Sequence, residues 1–113
     1  MQYTFRSASP SSVEYAPYYG PYIARVPAGD IIQTLTRQRS ESFKIFAGLT
    51  QEQAGFRYAP GKWMAKEVVG HVIDAERIFA YRALRVGRND KTPLPGFEED
   101  DFVKFGNFES RSI

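Results

Sequence analysis

The chain has one histidine, His71, set in the run "VVGHVIDAERIFAYRAL" at residues 68–84. An imidazole there could ligate a metal, act as a general base, or sit as a hydrogen-bonded core group. Glu67 lies four residues before it and Asp74 three residues after. On a helix these three share one side. Read as functional groups, the two carboxylates would orient the imidazole or add oxygen ligands. Read as structural groups, Asp74 pairs with Arg77 at i+3 and Glu67 complements the helix N-terminal dipole. The structural reading is favoured for both, because three side chains projecting the same way from one helix make a poor metal cage. A catalytic zinc site needs about three protein ligands and an open position. One histidine does not make it alone.

Other chemistry is scarce. With no cysteine, the chain has no disulfide framework, thiolate zinc site or cysteine nucleophile. Tyr58, Trp63, Phe79 and Tyr81 could line a substrate pocket, but aromatics at helical spacing more often belong to a core. Arg82, Arg85, Arg88 and Lys91 form a basic run that could attract an anion. Such a run more often complements a helix C-terminus or pairs with acidic neighbours, here "EEDD" at 98–101. A net charge of +2 and the lack of a nucleic-acid motif argue against a nucleic-acid partner. No apolar run approaches the ~20 residues of a membrane span, and "MQYTFRSASPSS" has no apolar signal region. A cytoplasmic protein is the expectation.

The elements that would position His71 are helical. Placed at ~100° per residue, the segment Met64–Val86 gives an apolar arc of Val68, Val72, Ala75, Phe79, Ala83 and Val86. Val69, Ile73, Ala80 and Leu84 form a second apolar flank, and Lys66, Gly70 and Arg77 the exposed sector. His71 falls at the border of the apolar arc, beside Ile78 and Met64. So wide an apolar face implies burial against several neighbours, as in a bundle. Upstream, Asp30 caps a helix predicted over residues 31–48, and Thr50 caps a short turn. Residues 1–27 read as an extended Pro- and Tyr-rich arm, disordered at its tip, with 13–27 packed on the main body. Residues 88–110 read as a long crossover with one short turn at 98–103. No strand-like alternation is present.

The stretch "YAPGKWMAKEVVGHVIDAERIFAYRALRVGRNDKTPLPGFEEDDFV" resembles the DinB-like (DinB/YfiT-like) superfamily of small four-helix bundles. "EYAPYYGPYIARVP" upstream and "NFESRS" downstream also fit one branch of it. The resemblance implies an all-α fold, with this chain as the N-terminal part of a DinB-like bundle over residues 28–113. It also implies a divalent metal, zinc or nickel, held in intact members by three histidines. His71 matches the ligand on the second helix. The other two form an H-x-x-x-H pair on the last helix, and this chain ends before any counterpart. Met64 stands where members often carry a capping Ser, and Asn89 where Gly is frequent.

The resemblance therefore implies a metal-dependent small-molecule enzyme, of thiol S-transferase or hydrolase type, with one of three metal ligands present. By this reading the chain holds no metal stably by itself. The alternative is a non-catalytic helical module, or a truncated fragment, completed by self-association into a homodimer. No nucleic-acid or membrane partner is expected.

Overall fold

A computed structural model describes residues 8–113, and among them every regular element is helical. In chain order these are α1 (Gly20–Ile23), α2 (Ile31–Ala47), α3 (Gln51–Ala54), α4 (Ala65–Gly87) and α5 (Glu99–Gly106), with 3-10 turns at Pro17–Tyr19 and Phe108–Ser110. The all-α expectation is met. The chain divides into two compact units, Met1–Ile45 and Phe46–Ile113.

In the first unit, the part expected to be extended is coiled over residues 17–23. Proline forbids a helix interior but suits a first turn, where its missing N–H would have no partner. Pro17 opens the 3-10 turn and Pro21 sits in the first turn of α1. The tyrosines pack on one another: Tyr18 meets Tyr19 edge-on at 5.1 Å between ring centroids and Tyr22 at 5.9 Å. The expected disordered tip lies partly outside the described residues. α2 begins where Asp30 predicts, with Asp30 Oδ1 accepting the N–H groups of Ile32 (2.7 Å) and Gln33 (3.2 Å).

The second unit holds the candidate site. Thr50 opens α3 with a full capping box: its Oγ1 accepts from Gln53 N–H, and Gln53 Oε1 accepts from Thr50 N–H. Ala59–Lys62 is then a tight turn closed by a 3.2 Å hydrogen bond, with Pro60 second and Gly61 third at φ +75°. That is the pattern of a type II turn, whose third position demands a left-handed residue. α4 follows. Met64 supplies no capping oxygen, but its N–H donates to Glu67 Oε2 at 2.9 Å, so half of the box survives. Met64 is also buried, with Ala54 and Val103.

Two expectations need correction here. Gly70, placed in the exposed sector of α4, is buried. The Phe108 ring fills its vacancy: a β-carbon on Gly70 would lie 2.5 Å from that ring, and one on Gly106 2.3 Å. The short turn near residue 98 is a full two-turn helix. Glu99, Asp100 and Asp101 supply negative charge to its first turn, Lys104 positive charge to its last, and Asn107 ends it at φ +53°. In the loop between α4 and α5, Arg82 donates to Pro95 O at 3.1 Å, and Phe97 meets Phe102 at 5.1 Å.

Candidate metal centre

His71 sits on α4, on the side that faces α5. Its ring is half-buried, with 24% of the side chain exposed, and Trp63 covers it at 5.0 Å between centroids. The two nitrogens differ. Nδ1 is buried and has no hydrogen-bond partner among the described residues. Nε2 faces Glu99 Oε2 of α5, which stands 3.7 Å away. That gap is too long for a direct hydrogen bond. Glu99 is largely exposed.

The two carboxylates singled out beside His71 are engaged elsewhere. Glu67 Oε2 accepts from Arg57 at 2.6 Å as well as from Met64 N–H, and Arg57 also donates to Lys62 O at 2.7 Å. This clamp ties the turn at 59–62 to the start of α4. Partial burial pushes the Glu67 carboxyl up, but the hydrogen bonds from Arg57 and Met64 outweigh it and leave the net shift downward. Asp74 faces Arg77 at 3.7 Å, one turn along the same helix. Both structural readings hold for the geometry.

The carboxylate that does approach His71 is Glu99, which the sequence reading placed only in an acidic run. The basic run does not supply the expected partner for that acidic segment either. Arg85 pairs with Asp90 and with the Tyr81 hydroxyl, and Arg82 stacks between Phe79 and Phe97. The aromatics expected in a core are not buried: Tyr58, Phe79 and Tyr81 are at least half exposed. Only Trp63, at the His71 ring, is partly enclosed.

Imidazole and carboxylate are both ordinary donors to zinc, at about 2.0–2.1 Å for nitrogen and about 2.0–2.2 Å for oxygen. Two such bonds together span more than the 3.7 Å gap, so one ion can touch both atoms. The donors therefore fit a divalent ion. Among the described residues no group of three His, Cys, Asp or Glu side chains gathers around one point, so this pair does not close a coordination shell. Two turns along α4, a separate open groove of about 300 Å³ is lined by Ile78, Tyr81, Leu94, Phe97 and Phe102, with neither His71 nor Glu99 in its wall.

Helices without strands among the described residues, and a half-buried histidine on the long helix α4, define an all-α protein with a candidate metal ligand. A family model described as the DinB superfamily matches residues 34–109, and the chain belongs to that superfamily. No curated protein and no solved structure matches it. No helix among the described residues is long and apolar enough to cross a membrane.

Proposed function

We propose that the chain serves a metal-dependent reaction on a small molecule, of thiol-transfer or hydrolytic type, with His71 as a metal ligand. The observation that carries this is the half-buried His71 ring, whose Nε2 makes no direct hydrogen bond and faces Glu99 Oε2 at 3.7 Å, packed on Trp63 in a member of a superfamily that generally binds metal. A bound divalent ion would supply Lewis acidity, lowering the pKa of a thiol or water so that a nucleophile is available at neutral pH. This chain's residues do the holding. Trp63 fixes the ring plane, the Arg57–Glu67 clamp fixes the start of α4, and the apolar groove offers a small molecule its contact surface. Remaining coordination positions are left to water or to groups other than this pair.

Zinc or nickel added to the purified chain tests the reading. Because this pair does not close a coordination shell, a weak one-to-one association that is lost on dialysis is expected, and His71→Ala is expected to abolish it. No association at any metal concentration, or undiminished binding by His71→Ala, would refute the reading.

A second reading has its own observation. The arc of α4 bearing Val68, Val72, Phe79 and Val86 is exposed, Phe79 at 58% and Val86 at 69%. Another copy of the chain could cover it as a homodimer.

A further inference from the structure

We infer that Glu99 is a second protein ligand of the ion held by His71, an oxygen donor delivered by α5. The inference rests on the metal reading above and adds a residue to it. Glu99 is the carboxylate that faces Nε2 of the only histidine, at a separation one ion can bridge. Among the described residues, no other ion pair or hydrogen bond holds its side chain. The nearest alternatives are committed: Glu67 to Arg57 and Met64, Asp74 to Arg77.

The packing of α5 against α4 sets where the Glu99 backbone stands. Glu99 is the first residue of α5, and two features hold α5 in place, one buried and one half-buried. Val103, one turn along from Glu99, is buried, and the Phe108 ring just beyond α5 is seated on Gly70 and Gly106. Gly70 is the residue before His71. The imidazole and the carboxylate thus sit on two helices locked to each other within one turn of the site. A donor pair drawn from two elements also answers the objection to a cage built from one helix, since the two side chains converge from different directions.

The test is a zinc titration of the whole chain, followed by calorimetry and by the nitrogen chemical shifts of the imidazole. Those signals need no assignment, because the chain has one histidine. The variants are Glu99→Gln, His71→Ala and, as a charge control one residue upstream, Glu98→Gln, each checked for unchanged helicity by circular dichroism. Glu99→Gln is expected to weaken zinc binding by about tenfold or more, with Glu98→Gln within about twofold of the unaltered chain. If His71→Ala abolishes binding while Glu99→Gln binds as the unaltered chain does, the Glu99 ligand is overturned and the His71 reading stands. Equal weakening by both glutamine variants overturns it too, since general charge then explains the effect. If zinc neither binds nor shifts the imidazole signals of the unaltered chain, both inferences fall.

Discussion

Among the described residues, Asp90 carries the most perturbed carboxyl. The hydrogen bond from Arg85 holds it down to about 2, helped by the Thr92 N–H, which donates to Oδ1 at 2.9 Å. The guanidinium of Arg85 is shifted upward for the same reason. A carboxyl depressed in the folded state binds fewer protons there than in the unfolded chain, so protonation favours unfolding. Its contribution is complete above its ordinary value of 3.8 and is lost as pH falls towards about 2. Glu67 is lowered as well and acts in the same direction. Urea midpoints measured from pH 5 down to about 2 should therefore decline, and Asp90→Asn should flatten the lower part of that decline. Parallel profiles for the two proteins would mean that the Arg85–Asp90 pair does not act in solution. Neither the pairing nor the shift follows from local pattern: the basic run reads equally well as a partner for "EEDD" at 98–101. Which acid an arginine meets depends on how the chain turns after Asn89, whose left-handed φ of +55° brings Asp90 back to Arg85.

α4 was legible to within a residue at each end, because its apolar spacing, Glu67 near its start and Gly87 at its end all agree. Asp30 and Thr50 marked the starts of α2 and α3 for the same reason, since a capping side chain acts on backbone three residues away. What could not be read is what α4 packs against. Gly70 looks like an exposed weak point on a helical wheel, and only the position of Phe108, far along the chain, shows it to be a socket. Met64 looks like a lost cap, yet its side chain is one of the few that are buried. His71 was visible as an edge residue, whereas Glu99 was not visible as its neighbour, because that contact needs α5 in place. Alanine separates these readings of Gly70. In an open helix interior Gly→Ala stabilises by about 0.8–1 kcal/mol. Here Gly70→Ala is expected to destabilise by about 1–3 kcal/mol, the range for an overpacked contact. Gly87→Ala, with open space around it, should be neutral or stabilising. In a Phe108→Ala background, Gly70→Ala should recover the normal stabilising sign; failure to recover it would show that Phe108 is not what fills the notch.

Among the described residues, the buried hydrophobic side chains are Ala54, Met64 and Val103, while Val72, Phe79, Leu84 and Val86 on α4 stay exposed. A helical unit with so little interior gains stability whenever another surface covers that arc. If a second copy does so, sedimentation should show a mass rising above 12.9 kDa with concentration, and Phe79→Glu should hold it at the single-chain value. A well-folded single chain at every concentration would exclude the second copy. The small interior also leaves a calorimetric mark. The heat-capacity increase on unfolding tracks the apolar surface newly exposed to water, and ordinary domains show about 12–15 cal/mol/K per residue. A chain melting with its α4 arc already in water has less left to expose, so its increment should fall below that range and its stability curve should be unusually flat. Anything that covers the arc would raise the increment and steepen the curve.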